Sequence, residues 1–259
     1  MSFRYETHLH TCEASACGVA HARDYIPFYQ DLGYRGLFVT DHFFGGNTAV
    51  DQSLPWREQV NWFCDGYEKA KNEGEKRGFQ VFFGWEQAYY GDEYLVYGLD
   101  KAWLYEHPEV KRWSRAQQYD QVGRYGGCVV QAHPFRVRFY IHGLILNTAC
   151  VHGVEAFNAT NHPEENVQAY RYAKNLGYAM LAGSDIHSLV QQRITGVTLP
   201  TPLTDEKDFA TRVRARAPIE LIAPVDELRR DSVPPVQIQA TVLGEGGRIV
   251  DTPLSTLLR

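Results

Sequence analysis

Short apolar runs alternate along this chain with longer segments in which apolar residues recur at three- and four-residue intervals. The short runs are rich in β-branched and aromatic residues. They predict strands over Arg4–His10, Gly36–Thr40, Gln80–Trp85, Tyr94–Tyr97, Gly127–Ala132, Gly153–Phe157 and Tyr178–Ala182, most of them after a glycine or polar break. Val60, Phe63, Cys64, Tyr67 and Ala70 fall at helical spacing with Gly78 as a stop, which predicts a helix over Arg57–Arg77. Pro163 and Gly177 bound a second helix, Glu164–Leu176, and Ala22–Leu32 and Trp113–Tyr125 each end before a glycine. Strand then helix, repeated, predicts a parallel sheet with helices outside it. Seven such units without an internal break give an α/β fold, a (β/α)7 TIM-like barrel, closed or nearly closed, in a single domain over residues 1–225. Past Pro224 the pattern weakens, and residues 226–259 are expected to form a short C-terminal tail, readable as a hairpin packed on the barrel.

Position along these runs then picks out candidate chemistry. His8 and His10, Asp41 and His42, Glu86, His133, and Asp185 and His187 all fall at the C-terminal ends of predicted strands, the rim on which barrel enzymes build their sites. Alternate residues of a strand share a face, so His8 and His10 are placed to reach one cation together, and Asp185 and His187 likewise. A single buried histidine is more often a hydrogen-bonded core residue than a ligand. Here imidazoles and carboxylates, the ligand types of Zn, Mn and Fe, recur on one rim from segments far apart in sequence. One tetrahedral cation needs three or four ligands, so a set this large points to two or three ions with a bridging carboxylate, for which Glu86, ending the apolar Val81–Trp85 run, is the candidate.

The ordered set resembles the PHP family, the polymerase-and-histidinol-phosphatase metallohydrolases, over about Tyr5 to Pro200. The matching motifs are His8-Leu9-His10 for H-x-H, Thr40-Asp41-His42 for T-D-H, Gly84-Trp85-Glu86 for G-x-E, His133-Pro134 for H-P and Ser184-Asp185-Ile186-His187 for S-D-x-H. The resemblance implies a distorted barrel of PHP type whose cofactors are two or three divalent ions, Mn, Zn or Fe, and which hydrolyses phosphoesters. It would place His8, His10, Glu86 and Asp185 on one ion, Glu86 and His133 on a second, and His42 with His187 on a third. Two departures stand out. Many members carry a further His or Asp after the opening H-x-H, where this chain offers Glu13 or Cys17, and a His after the G-x-E glutamate, where it offers Asp92 or Glu93.

The expected activity is hydrolysis of a small phosphomonoester, histidinol-phosphate-like or a nucleoside monophosphate, by a metal-activated hydroxide. Asp41 is expected to orient a ligand histidine from behind, and Arg136, three residues after His133, to grip a phosphate bidentately. Arg138 and Arg193 are further candidates of that kind. His21, His107, His142, His152 and His162 fall outside the strand-end pairs and are read as ordinary polar or surface residues. Gly45-Gly46-Asn47 suits a mobile loop over the mouth.

Composition narrows the alternatives. A length of 259 residues with 44% hydrophobic content suits one large barrel. A formal charge of −5 disfavours nucleic acid and anionic membrane as partners, although local basic patches at Arg136/Arg138 and Arg212/Arg214/Arg216 stay open. A phosphodiesterase or nuclease of the same family is the second reading. An amidohydrolase barrel, which also opens on H-x-H, and a non-enzymatic metal-stabilised module rank below it. Five cysteines without a C-x-x-C pair, and no secretory leader, are expected as reduced thiols in a cytoplasmic protein. No apolar stretch suffices for a membrane span. Oligomeric state is not specified by any of these features.

Overall fold

A computed structural model describes residues 2–230 and 232–259. Its strands are β1 (Phe3–Glu6), β2 (Gly36–Val39), β3 (Gln80–Ala88), β4 (Glu93–Tyr97), β5 (Cys128–Gln131), β6 (Leu144–Asn147), β7 (Gly153–Asn158), β8 (Ala179–Gly183), β9 (Val197–Leu199), β10 (Glu220–Leu221), β11 (Ala240–Leu243) and β12 (Ile249–Val250). The main helices are α1 (Tyr25–Asp31), α2 (Trp56–Phe63), α3 (Asp65–Arg77), α4 (Lys101–Glu106), α5 (Arg115–Arg124), α6 (Pro163–Leu176) and α7 (Glu206–Arg214). One sheet runs β10-β9-β1-β2-β3-β4-β5-β7-β8, and a second runs β12-β11-β6. Past the ends of β1 and β8, Leu9 and Ile186 form a parallel bridge, so the row from β1 to β8 closes into a barrel at its upper end.

The α/β barrel is present, but the wholly parallel sheet is not. β4 runs antiparallel to both β3 and β5. The reason is loop length: β3 continues to Ala88, leaving only residues 89–92 before β4, and four residues suit a hairpin, not a crossover. Tyr89 N donates to Asp92 O at 2.8 Å and Gly91 sits at φ 98°, which closes that turn. The single helix expected over Arg57–Arg77 is interrupted at Cys64, two residues before Gly66 packs against Thr11 and Asp41. β6, β9 and β10 were not foreseen; β9 runs antiparallel to β1 on the barrel's flank. In the C-terminal segment β11 and β12 pair antiparallel, and β11 also pairs in parallel with β6.

Strand alternation separates two apolar layers. Phe38, Phe82, Leu95, Tyr97, Cys128, Val130 and Leu181 pack together inside the barrel, with Phe209, Ala210 and Val213 of α7 closing its lower end. Their neighbours Leu37, Val39, Val81, Phe83, Trp85 and Val96 face outward under the helices. Each of the buried valine, leucine and phenylalanine side chains contributes roughly 1.5–3 kcal/mol of transfer free energy. The lower interior is thus a filled, mostly apolar core, and the strand-end histidines and carboxylates lie toward the upper end of the barrel. Among the described residues no helix is long and apolar enough to cross a membrane, and all five cysteines are free.

Candidate metal centre

The same alternation that buries Phe82 points Glu86 inward, because residues 82, 84 and 86 share a face. On β4 the inward face carries Glu93, Leu95 and Tyr97. That parity separates the two acidic candidates of the loop. Glu93 Oε2 comes within 3.5 Å of His133 Nε2, whereas Asp92 turns away into an ion pair with Arg115. β1 ends at Glu6, sooner than expected. Glu6 Oε1 accepts hydrogen bonds from Thr7 N at 2.8 Å, His8 N at 2.7 Å and Ser184 N at 3.0 Å, which breaks the strand's alternation. Tyr5 and His8 consequently both face the interior.

Glu86 lies at the middle of the resulting cluster. Its Oε1 is 3.2 Å from His8 Nε2 and 3.1 Å from His133 Nε2; its Oε2 is 2.8 Å from His42 Nδ1 and 3.6 Å from His10 Nε2. Asp185 Oδ1 lies 3.5 Å from His8 Nε2 and 3.2 Å from His10 Nε2. His187 does not join Asp185 through strand alternation, since Asp185 has a left-handed φ of 50°; it stacks on His10 with ring centroids 4.3 Å apart. His133 likewise turns at φ 26°. The potential ligand atoms fall into overlapping triads with members within 4.8 Å of one another: His8, His10 and Asp185; His8, Glu86 and His133; His42, Glu86 and Glu93; and His10, His42 and His187.

Hydrogen bonds behind the imidazoles select their tautomers. His8 Nδ1 lies 2.9 Å from Glu155 Oε1 and His187 Nδ1 2.9 Å from the Asp185 carbonyl, so each donates its Nδ1 proton and turns Nε2 inward as the nitrogen a cation would meet. For His10 the partner is Ser15. Ser15 Oγ spends its one proton on Asp41 Oδ1 at 2.6 Å and so accepts from His10 Nδ1 at 3.2 Å and His42 N at 3.0 Å. Asp41 also accepts from Thr11 N at 2.6 Å and Thr11 Oγ1 at 2.7 Å, and it acts on His10 only through Ser15. Burial pushes the Asp41 carboxyl up to about 6 against these hydrogen bonds.

Electrostatics mark the cluster as short of positive charge. Glu86, Glu93, Asp185 and Glu155 converge there with one guanidinium, Arg136. Burial, together with the charge on Glu86, raises the Glu93 carboxyl. Burial disfavours protonation of His8, yet Asp185, Glu155 and Glu86 outweigh it and hold that imidazole well above its usual range. His10 is driven the other way by burial and by His42, and stays neutral. His42 Nδ1 and Glu86 Oε2 face each other without hydrogen-bonding geometry to any partner. Buried and convergent, these two atoms and the surrounding imidazole nitrogens and carboxylate oxygens fit divalent cations.

Arg136 is tied to Asp185. Its Nη2 donates to Asp185 Oδ2 at 2.6 Å, Thr160 Oγ1 at 2.7 Å and Asn158 Oδ1 at 2.9 Å, and its Nε to Asn161 Oδ1 at 2.9 Å. These bonds occupy the edge a bidentate phosphate grip would use. Arg138 pairs with Glu165, and Arg193 lies over the Phe157 ring.

Solved structures supply a comparison. A two-domain protein from Bacteroides vulgatus containing a predicted PHP-like metal-dependent phosphoesterase matches with a TM-score of 0.59 and 15% identity, over 83% of this chain and 64% of its own. The chain has the PHP-like fold. It spans just under two thirds of that two-domain protein. PsfC from Pseudomonas syringae matches at 0.53 with 14% identity, over 88% of this chain and 94% of its own. A Bifidobacterium adolescentis protein provisionally named a metal-dependent phosphoesterase matches at 0.50 with 15% identity, over 82% and 96%. No protein-family model matches the sequence, and no curated protein matches it.

On this PHP-like scaffold the remaining candidates divide clearly. Cys17 is hydrogen-bonded to His187 and His42; burial pushes its thiol up, but those bonds outweigh it and bring it down to about 6. Glu13 stands apart, 3.2 Å from His21 Nδ1 and 3.8 Å from Lys69 Nζ. The Gly45–Asn47 loop is pinned by the antiparallel bridge of Ser15 with Thr48 and by Ala16 N donating to Asn47 O at 2.9 Å. Of the histidines set aside, His142 lines a cavity beside the centre, and His162 joins Glu165 in a capping box at the start of α6. Glu155, Ser15, Asn158 and Thr160 were missed. Only Glu155 had a legible signal, as a lone carboxylate within an apolar strand.

Proposed function

We propose that the protein is a metal-dependent phosphoesterase that hydrolyses a small phosphomonoester at a cluster of two or three divalent ions, Mn, Zn or Fe. The observation that carries this reading is the meeting of His8, His10, His42, Glu86, His133, Asp185 and His187 around a carboxylate-rich, largely buried point. His8, His10, Glu86 and Asp185 would hold one ion, Glu86, His133 and Glu93 a second, and His42 and His187 a third with Cys17. Bound ions would supply charge neutralisation for the phosphate oxygens and a water acidic enough to yield hydroxide near neutral pH. The chain's own residues prepare the site. Glu155 and the Ser15–Asp41 pair hold His8 and His10 with Nε2 turned inward, and Arg136 with Asn158 and Thr160 fixes the Asp185 carboxylate. The free thiols support a reducing, cytoplasmic setting.

The test is phosphate release from monoesters and a bis-ester by the protein as purified, after chelation, and after Mn or Zn is restored, alongside elemental analysis. His8→Ala and Asp185→Ala should lose both bound metal and turnover. Full metal content and full turnover in both variants would refute the assignment.

A further inference from the structure

A cavity of about 610 Å³ opens directly from the centre, where Glu93, His133 and Arg136 form its inner end. That volume lies within the range typical of small-molecule sites. Its sides come from separate elements: Tyr90 on the β3–β4 turn and Tyr140 on the loop between β5 and β6. Its floor includes Ile145 of β6 and Thr241 of β11, so the C-terminal segment builds part of the wall.

Charge in this space is confined to the inner end. Asp92 is neutralised by Arg115, and Arg136 by Asp185; beyond them His142 is, among the described residues, the remaining titratable lining side chain other than tyrosine. Among the described residues, no lysine and no second arginine lines the cavity to receive another phosphate. What it offers instead is aromatic and aliphatic surface with a few polar tips. Tyr90 and Tyr140 are 93% and 61% exposed, so their rings are available to a ligand without rearrangement of the core.

We propose that this cavity receives the leaving group of the substrate, and that the group is a neutral ring system of benzyl to nucleoside size with no second anionic substituent. The proposal rests on the phosphoesterase reading. In hydrolysis the bond between phosphorus and the ester oxygen breaks and one forms to the oxygen of water. The leaving group takes up one proton and departs as a free alcohol, which the cavity also binds.

The experiment compares kcat/KM for benzyl phosphate, adenosine 5′-monophosphate, glycerol phosphate and adenosine 3′,5′-bisphosphate, all alkyl esters. Calorimetry with adenosine on the protein as purified gives binding without chemistry. The ring-bearing monoesters should exceed glycerol phosphate and the bisphosphate by about tenfold or more, the size of one aromatic stacking contact. Tyr140→Ala should remove that advantage and weaken adenosine binding, and Tyr140→Phe should restore both. Equal turnover of all four esters with no adenosine binding overturns the proposal and leaves the phosphoesterase reading standing, as does preference for the bisphosphate. Adenosine binding that depends on Tyr140, with no ester hydrolysed, keeps the ring-binding cavity and overturns the reading beneath it.

Discussion

Replacing Arg136 by methionine separates two roles that predict opposite kinetics. The side chain is largely enclosed, and four hydrogen bonds leave its Nη2 and Nε, one of them charge-assisted to Asp185 Oδ2 at 2.6 Å. Methionine fills similar space without a charge. Asp185 then keeps only Asn158 Nδ2 at 3.4 Å and Thr160 Oγ1 at 3.2 Å behind Oδ2, and its buried carboxylate loses the guanidinium, with the His8 imidazole 3.5 Å away on the Oδ1 side. Breaking one side of a buried pair costs about 3–5 kcal/mol, so chelated Arg136→Met should unfold at correspondingly lower urea than the chelated parent. Metal affinity should fall about 10–100-fold, as when the group orienting a ligand is removed, and metal should recover part of the lost stability by neutralising Asp185. Competition with a chelating dye and urea titrations with and without metal read both quantities. A raised KM with unchanged metal affinity and stability would refute the Asp185-positioning role and return Arg136 to the phosphate.

Three further outcomes follow from described contacts. Ser15→Ala removes the acceptor of the His10 Nδ1 proton and should weaken metal binding about tenfold, with Ser15→Thr retaining it; equal dissociation constants for the alanine variant and parent would sink the tautomer argument. His152, pushed down to about 4 by burial and then by Arg214, accepts a hydrogen bond from Val129 N at 3.0 Å and must stay neutral to do so. The unfolded chain takes up that proton near pH 6.5, so the contribution is full above that value and falls as the pH drops toward 4, by about 2 kcal/mol at pH 5. His152→Gln should therefore lose less stability than the parent between pH 7.5 and 5 in urea titrations; parallel pH profiles would contradict it. Gly66→Ala places a Cβ 2.5 Å from Thr11 Oγ1 and 3.4 Å from Asp41 Oδ2, and should cost about 1–3 kcal/mol of stability by differential scanning. An unchanged melting temperature would show that α3 can move aside.

The strand-end rule made much of this arrangement readable. Histidines and carboxylates that end apolar runs have few other reasons to sit there, and a barrel brings such ends together whatever their separation in sequence. Details that depended on pairing were hidden. The reversal of β4 becomes visible only once β3 is known to reach Ala88, because the length of the remaining loop decides it. Asp92 and Glu93 look alike in sequence, yet counting from Leu95 and Tyr97 would have turned Glu93 inward. Ser15 carries no metal-type side chain, and its role depends on a hydroxyl proton already committed to Asp41. Thr241 reaches the cavity through the pairing of β11 with β6, a contact across about a hundred residues that no local pattern announces.

The left-handed backbone at His133 and Asp185 has a further consequence. Side chains with a Cβ occupy that region at a cost of roughly 1–2 kcal/mol each, which glycine would avoid. Glycine would also delete the imidazole and the carboxylate, so the chain is held at both points in a conformation it would relax from if the centre stopped mattering. Ligand binding and local stability therefore oppose each other within the same two residues. In protein stripped of metal, amide hydrogen exchange should first quicken around positions 133 and 185, while the layer sealed by α7 stays protected until global unfolding.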